Sequence, residues 1–526
     1  MMKMPRLLWG ALLVLPLLAA CQNETPRPAS PQQSPPLAPR VMDAEFDACR
    51  AKERALLEQT ALPGAPEFEA RRADILGRAR GEPMLFVREP KATTESDLPE
   101  AAKGLRDKLA SRSPFARVVQ LKRVLAKDRA ALRALLLREG YVYATEPQEA
   151  LALVTRLELT DLFDEDVIYL HRGSTITELR RKQGRPTTYR DPRDQRAELL
   201  FGDRVAAHRA DLTEPLHRDA RGLQFRLGFE RLRVKRATPA GLLADLRLGG
   251  AWTRTVLDAK GAELSLGCFL EPKDRRSRIE KHLASEAPRR KALARLRSAV
   301  SSHIEEGLPF DRPRGEETAD RDGQLRPAWR WAYMAGRQSF EFEENWYPVY
   351  DASGRPHPPQ VCVDFVLDSY ERASDTWFTS LGQKPERKHG KLDFNEFGIT
   401  NRRGVLALED FAESKPEIFE HRRFADDERI KFRDRDRFFA FLVQHADRFR
   451  PGDVVAIQGV KNDGKIHQHA ILIENTDPIT GFPDGLADQM KRPRRRTWEG
   501  IMAEAPLRSL LYQLRPKDGV LLAAGG

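Results

Sequence analysis

The chain has 526 residues, of which 40% are hydrophobic and 32% are charged. Apolar residues in that proportion can fill ordinary cores, which excludes wholesale disorder, and the length suggests about two to four domains. Lysine and arginine outnumber aspartate and glutamate by 89 to 78, a formal net charge of +11. Because acidic residues are interleaved with the basic ones, this charge indicates a general affinity for anionic polymers or membrane surfaces, not the reading of a nucleic-acid sequence.

Residues 1–20 have the pattern of an export signal. Two basic residues, Lys3 and Arg6, precede an apolar run over 7–20 that is too short to span a bilayer. The run ends in Leu-Ala-Ala before Cys21, which resembles the lipobox of bacterial lipoproteins. This resemblance implies a diacylated Cys21 carrying fatty acids such as palmitate, and Gln22 is similar to the sorting residue of outer-membrane lipoproteins. An ordinary signal peptide with an incidental Cys21 is the alternative.

Residues 21–40 predict an extended tether, because residues 22–40 hold six prolines and no aromatic residue. Three cysteines then remain, and an oxidising compartment leaves one of an odd number unpaired. Either Cys49 bridges Cys268, or all three are buried. A thiol retained in such a compartment is a candidate nucleophile, and Cys362 has the most suitable surroundings.

Residues 41–310 predict an accessory α/β or β-rich domain to which no chemistry can be attached. Helices are expected in two short segments between 42 and 80, and over 118–137 and 150–162. Between 167 and 270 the apolar period shortens, which predicts strands near 167–173, 197–208, 223–234, 241–250 and 262–271. Residues 276–304 predict a charged helical connector with a solvated face. A polar break at 313–322 places the domain boundary near 311, and residues 517–526 are read as a tail.

The candidate nucleophile follows a pair of prolines. Pro358 and Pro359 end the preceding chain, and the apolar spacing after them predicts a helix with Cys362 in its first turn. Unpaired backbone N–H groups and the positive end of the helix dipole favour a thiolate there. A thiolate is the nucleophile that acyl transfer requires.

The candidate base lies about a hundred residues later. Pro451-Gly452-Asp453 predicts a turn into a buried strand, and the segment 461–464 (KNDG) predicts a hairpin into a second strand that carries His467 and His469. A strand histidine that faces the start of a helix can accept the thiol proton and return it to a leaving amine.

These pieces together resemble the NlpC-type and CHAP-type cell-wall amidases, which have a papain-like fold. The resemblance covers about 160 residues: a Cys that opens a helix, Pro-Gly-Asp before a strand, and His469 followed by Ala-Ile-Leu-Ile. It implies that Cys362 is the nucleophile and His469 the base. The third residue is expected on the following strand, where Asp484 and Asp488 are candidates and Asn475 is weaker; we choose Asp484. The sequence departs from the family in its neighbours of Cys362 and in its long Cys-to-His interval.

Tyr347, Asp364 and His467 are candidate substrate-binding residues. Tyr347 belongs to an aromatic segment, 346–350, that either lines a groove or packs in the core. Asp364 follows the nucleophile, and His467 shares a strand face with His469 because side chains alternate. A metal held by the two histidines is disfavoured because no carboxylate or Cys cluster lies nearby at ligand spacing. The basic run 491–496 predicts a solvated loop that could steer anionic glycan strands.

The sequence therefore predicts an α+β protein that consists of an accessory α/β domain (41–310) and a papain-like thiol hydrolase domain (311–516). The expected protein is an outer-membrane lipoprotein, periplasmic or at the cell surface, which hydrolyses cell-wall peptide amides through an acyl-enzyme on Cys362. Peptidoglycan or another envelope polymer is the expected partner, with no nucleic acid and no cofactor. A transglutaminase-like amide exchange and a non-catalytic envelope-binding lipoprotein are the alternatives.

Overall fold

A computed structural model describes residues 43–61, parts of 69–76, residue 166 and seven strands between 84 and 209, and residues 220–523 apart from 261–262, 315–321, 400, 461–465, 491, 499–500 and 503–504. The predicted signal, the tether and the predicted helices over 118–137 and 150–162 lie outside these residues. The described residues from Ala44 onward belong to one compact unit. Among them, no helix combines the length and the apolar character that crossing a bilayer requires.

The first part of this unit contains one complete helix and an antiparallel sheet. Helix α1 (Ala44–Glu58) confirms the first of the two helices predicted between 42 and 80, and the second is described only in part, within 69–76. The sheet has the order β2-β1-β3-β4-β5-β6-β7. Its strands are β1 (Met84–Val87), β2 (Tyr141–Ala144), β3 (Val167–Arg172), β4 (Thr175–Lys182), β5 (Thr188–Arg190), β6 (Ala197–Leu200) and β7 (Ala206–Arg209).

A helix and a four-stranded antiparallel sheet follow: α2 (Ala220–Leu227), β8 (Arg231–Thr238), β9 (Gly241–Leu248), β10 (Ala251–Lys260) and β11 (Glu263–Phe269). Each strand joins the next through two residues, and Gly249 and Gly250 supply the positive φ angles of one such turn. Parallel pairing would need a long crossover, so connections this short can only give antiparallel strands. The expectation of an α/β accessory domain is corrected accordingly: this region is α+β.

One predicted strand is a helix in its first half. Leu223, Phe225 and Leu227 alternate with polar residues, which indicates a strand, but the segment forms α2 and only β8 follows as predicted. The residues that α2 buries most deeply in the core are Ala220 and Leu223, three positions apart. Their spacing of three residues is that of a helix. A segment of only eight residues can show this spacing and the two-residue alternation of a strand at once, so the sequence does not decide between them.

The charged connector is two helices, α3 (Lys273–Ser285) and α4 (Ala287–Glu306). The prediction of helix is confirmed, but α4 is not a solvated connector. It buries Leu296 and Val300 in the core that also contains the helix of Cys362. Val520 and Leu521 of the predicted tail join the same core, so segments on both sides of the predicted hydrolase domain contribute to its centre.

The C-terminal part contains the remaining helices and a six-stranded antiparallel sheet of order β16-β21-β17-β18-β19-β20. Two short hairpins precede the sheet, β12 (Ser339–Phe342) with β13 (Asn345–Pro348) and β14 (Trp377–Phe378) with β15 (Arg387–Lys388). The sheet strands are β16 (Phe419–Arg423), β17 (Val454–Val460), β18 (Ile466–Asn475), β19 (Gly485–Met490), β20 (Arg492–Arg496) and β21 (Arg508–Pro516). The helices are α5 (Leu325–Met334), α6 (Cys362–Ala373), α7 (Val405–Ser414), α8 (Arg435–Gln444) and α9 (Asp518–Ala523).

Both faces of this sheet are buried. Along β17 the side chains alternate: Val454 and Ala456 pack into the cluster that contains α4 and α6, whereas Val455 and Ile457 pack into a second cluster with Phe438 of α8. A strand that is apolar on both faces reads as a continuous hydrophobic run, as VVAI does here. The strands predicted over 454–457 and 467–475 are confirmed, as parts of β17 and β18.

A disulfide ties the N-terminal helix to the four-stranded sheet. Cys49 of α1 is bonded to Cys268 of β11, with their Cα atoms 5.9 Å apart and a sequence separation of 219. Of the two alternatives left open by the cysteine count, this is the bridged one, and Cys362 is the free thiol. The bond supplements a small contact area, because Cys49 and Leu56 of α1 pack against Leu243 and Val256.

Removing this bridge is expected to lower the free energy of unfolding by about 2–5 kcal/mol, because a long loop of the unfolded chain is released. Chemical denaturation of the C49A/C268A protein measures the loss. Addition of a reductant should lower the unfolding midpoint of the unmodified protein and leave that of the double variant unchanged. Identical midpoints for the oxidised and reduced unmodified protein would show that the bridge contributes nothing to stability.

Candidate functional site

Cys362 is the first residue of α6, as predicted. Val361 has extended backbone angles (φ −97°, ψ 177°), and its N–H donates to the Asp364 carboxylate at 3.2 Å, which fixes the start of the helix. The Val361 side chain has no acceptor atom with which to cap the N–H groups of the first turn. The positive end of the helix dipole is therefore not capped by the Val361 side chain, and it favours negative charge at the sulfur of Cys362.

His469 contacts two residues from two other elements. It lies on β18, and its Nε2 is 2.8 Å from Oδ2 of Asp488 on β19. Its ring also interacts with the sulfur of Cys362, through charge and through hydrogen bonding. Because Asp488 occupies Nε2, Nδ1 is the nitrogen left for the sulfur. The structure thus brings together Cys362 and His469, the pair on which the sequence-based mechanism depends.

The charges around the imidazole favour its protonated form. Burial acts to lower the pKa of His469, but the charges of Cys362 and Asp488 and the hydrogen bonds to both raise it to about 9. An imidazolium is therefore the main form at neutral pH. Burial also acts to raise the pKa of Asp488, but Arg496, His469 and Arg494 lower that pKa well below its usual range, so the carboxylate stays ionised.

Asp488 is held by two buried arginines. Nη1 of Arg496 is 3.1 Å from its Oδ2, and Nε of Arg494 is 3.6 Å from its Oδ1. The prediction of a solvated loop over 491–496 is wrong for these residues, since 492–496 form the edge strand β20. Alternation explains the burial: Arg494 and Arg496 face Asp488, and Arg495 between them pairs with Glu474 at 2.9 Å.

Asp484 has a different role from the one predicted for it. It precedes the first residue of β19, and its Oδ2 pairs with Nη2 of Arg221 at 2.8 Å. The carboxylate that contacts His469 belongs to Asp488, the other candidate. Register is the reason, because Leu472 pairs with Ala487 and Asp488 is therefore opposite Ile471, on the face of β18 that carries His469.

Two of the three predicted substrate-binding residues are engaged in structural contacts. Asp364 is fully buried, and besides its contact with Val361 it lies 3.7 Å from Arg326 and from Arg403. It holds the start of α6 and is closed to substrate, which corrects its predicted role. The Nδ1 atom of His467 accepts a hydrogen bond from Nη2 of Arg508 at 3.0 Å.

The third residue, Tyr347, lies on β13 within the aromatic segment. Its hydroxyl accepts a hydrogen bond from the backbone N–H of Arg314 at 2.6 Å, and its ring stacks on Phe340 with centroids 5.5 Å apart. The neighbouring Trp346 is 61% exposed. The segment therefore has a packed and an exposed side, and its predicted contact with substrate stays a prediction.

Tyr512 was not identified from the sequence, although it lies close to the sulfur. Its hydroxyl donates to the carbonyl of Val405 at 2.6 Å. Burial, together with the charges of Glu409, Cys362 and Asp410, raises its pKa well above the usual value. The phenol therefore stays neutral beside the dyad. Cys362 is 9% exposed and His469 is 6% exposed, so only a small part of either group meets solvent.

Two groups of side chains have the geometry to share a metal ion within the described part of the chain: His389 with Asp393 and Glu396, and Glu409 with Glu413 and His421. In each group a buried carboxylate already pairs with an arginine, Asp393 with Arg387 and Glu409 with Arg423. Neither group contains His467 or His469.

Comparison with known proteins gives no relative: no family model, no curated protein and no solved structure matches the chain. The chemistry of the site therefore has to be argued from its geometry. A sulfur at a helix start, an imidazole and a buried carboxylate are the parts of an acyl-transfer site that works by nucleophilic catalysis.

Replacing Asp488 with Asn should lower the pKa of His469 from about 9, because one of the two negative charges that favour the imidazolium is removed. The matched control is Asp484→Asn, which removes a buried carboxylate just before the same strand, β19, and should leave the titration unchanged. NMR titration of the His469 ring measures both. A lower pKa in the Asp484 variant alone would reverse the assignment of the two carboxylates.

Proposed function

We propose that the protein is a cysteine-dependent amidase or peptidase with a papain-like catalytic arrangement. The observation that carries the proposal is the contact of one buried imidazole with the Cys362 sulfur on one side and the Asp488 carboxylate on the other. In support of a papain-like arrangement, the nucleophile opens a helix, the histidine lies on a sheet strand, and the carboxylate follows on the adjacent strand.

The proposed reaction has two steps. The Cys362 thiolate attacks the amide carbonyl, and the His469 imidazolium donates its proton to the departing amine, which leaves a thioester. Water then attacks the thioester while His469 accepts one of its protons; the carboxylic acid departs, and the Cys362 thiolate and the His469 imidazolium are regenerated. Asp488 keeps the ring oriented and stabilises its positive charge, and the backbone N–H of Cys362 is placed to stabilise the oxyanion.

The proposed substrates are the peptide amides of the cell wall. The support comes from the sequence: the export signal, the lipobox that ends in Cys21, and the similarity of the His469 region to cell-wall amidases. The disulfide between Cys49 and Cys268 adds a structural argument, because such bridges persist in oxidising compartments outside the cytosol. We therefore also propose anchoring by lipid at Cys21 in the outer membrane, on its periplasmic or outer side.

A non-catalytic envelope-binding role is the second candidate, and the burial of the dyad favours it. With Cys362 only 9% exposed, a substrate carbonyl has little access to the sulfur as the structure stands. Catalysis requires that this access widens when substrate binds. The two candidates differ in the reactivity of one thiol, which makes them separable.

Purified protein incubated with peptidoglycan should release peptide fragments, and Cys362→Ala should release none above the protein-free control. Asp488→Asn should slow release by about a hundredfold or more, the scale of general acid–base catalysis. Asp484→Asn, the matched control, should retain the unmodified rate. Chromatography of the released fragments measures all four proteins.

Equal release by the unmodified protein and Cys362→Ala would refute the mechanism. If Cys362 reacts with iodoacetamide no faster than a free thiol at neutral pH, the non-catalytic role gains. A trapped acyl-enzyme that passes to an added amine in preference to water would instead indicate transglutaminase-like exchange.

Expression with a labelled fatty acid tests the anchor separately. The unmodified protein should incorporate label and stay with the membrane fraction, whereas Cys21→Ser should carry no label and be recovered in soluble form. Unlabelled unmodified protein would point to an ordinary signal peptide in which Cys21 has no role.

A further inference from the structure

A cavity of about 390 Å³ lies between the four-stranded sheet, the corner of α3 and α4, and the turn before β17. This is within the size range of small-molecule sites. Gly249, Gly250 and Arg450 on its wall are exposed, so the cavity reaches the surface. It is distinct from the dyad: its wall includes Thr476, just after the end of β18, and Thr476 is seven positions beyond His469 along the strand, a length of roughly 23 Å.

The wall of this cavity is strongly basic. Three carboxylates line it, Glu230, Glu286 and Asp447, against six arginines: Arg231, Arg247, Arg289, Arg290, Arg297 and Arg450. Three of the arginines are paired. Arg231 and Arg247 both contact Asp447, at 2.6 and 2.9 Å, and Arg289 contacts Asp518 at 2.9 Å.

The other three arginines have no such partner. Arg290 donates to two backbone carbonyls, of Leu227 and Leu283, which carry no charge. The guanidinium carbon of Arg297 lies 3.8 Å from the ring centroid of Phe225. Within the described residues, no carboxylate oxygen is at ion-pair distance from the side chains of Arg290, Arg297 or Arg450. Positive charge is therefore left over in the cavity wall.

Arg297 is partly buried, so its positive charge is destabilised unless an anion binds it. Burial lowers its pKa, and the one nearby carboxylate that acts to raise it, Glu474, is already held by two nitrogens of Arg495. Phe225 beneath the guanidinium fixes its plane and leaves its N–H edge for a ligand. A planar fork of donors in a partly apolar site is the arrangement that proteins use to bind carboxylates and phosphates.

We propose that this cavity binds a small organic anion, with its carboxylate or phosphate group at Arg297 and Arg450 and its apolar part against Leu293 and Phe449. Leu293 and Phe449 line the same cavity and supply the apolar surface that inorganic phosphate could not use. The proposal is independent of the chemistry proposed for Cys362, because no residue of the dyad contributes to the wall.

Isothermal titration calorimetry of the full chain with phenyl phosphate tests the proposal. Phenyl phosphate should bind more tightly than phenol, which lacks the charge, and than inorganic phosphate, which lacks the ring. Benzoate in a parallel titration decides between phosphate and carboxylate as the preferred group. Raising the salt concentration should weaken the binding of either anion.

Arg297→Gln should weaken binding of the preferred anion by about tenfold or more, the loss expected for one charge-assisted hydrogen bond. The matched control is Arg337→Gln, because Arg337 also lies over an aromatic ring, Trp331 at 4.2 Å, but lines no part of the cavity. This variant should bind like the unmodified protein.

Arg450→Gln is the second variant, and since Arg450 is exposed its replacement should not disturb folding. Arg450→Gln should also weaken binding of the anion. This variant therefore tests the proposal even if Arg297→Gln proves unstable in thermal unfolding. Binding by Cys362→Ala should be unchanged, so failure of the catalytic proposal would not affect this test. Equal affinity for phenol and both anions, or unmodified affinity in both folded cavity variants, would overturn the proposal.

Discussion

The imidazole of His469 is held between the Cys362 sulfur and the Asp488 carboxylate, and the candidate site depends on this double contact. Asp488 alone would fix the orientation of the ring, but the second ring nitrogen, Nδ1, would then have no hydrogen-bond partner. Cys362 alone would leave the ring free to rotate. Together they favour a protonated ring at neutral pH despite its burial, with a pKa of about 9. Burial disfavours the ionised form of Asp488, but its ion pairs with Arg494 and Arg496 offset this effect and keep the carboxylate charged.

The position of α6 is fixed by a second set of buried ion pairs, made by Asp368 and Glu371 in the later part of the helix. Arg326 contacts Asp368 through both of its terminal nitrogens, at 2.7 and 2.8 Å, and Arg402 joins Asp368 to Glu371. Such pairs contribute little net stability when both charges must be desolvated. These pairs instead fix the orientation of α6. Three acidic residues of the helix, Asp364, Asp368 and Glu371, contact arginine side chains, so rotation or sliding of α6 would break several contacts at once.

Residue patterns predicted the elements of the site better than its contacts. Prolines followed by helical spacing located the helix start at Cys362, and two apolar runs located β17 and β18. The choice between Asp484 and Asp488 could not be made from the sequence, because it depends on the register between β18 and β19, which shifts near Ile473. The burial of Arg494 and Arg496 could not be read from the sequence, because a run so rich in arginine resembles a solvent-exposed segment unless its buried carboxylate partner is known. The helix α2 was mistaken because its eight residues fit both periods.

The disulfide of α1 also determines how the molecule responds to tension. A pull on the chain just before Ala44 enters α1 and passes through the sulfur bridge at Cys49 directly into β11. The stretch of chain between the two cysteines, whose sequence separation is 219, is bypassed, so it carries no load while the bridge is intact. Beyond Cys268 the force reaches α3 and α4 along the backbone, and there it meets the core that supports α6. When the chain is pulled from the residues before Ala44, the covalent bond thus makes the C-terminal half, and not the intervening region, the part that resists being drawn out.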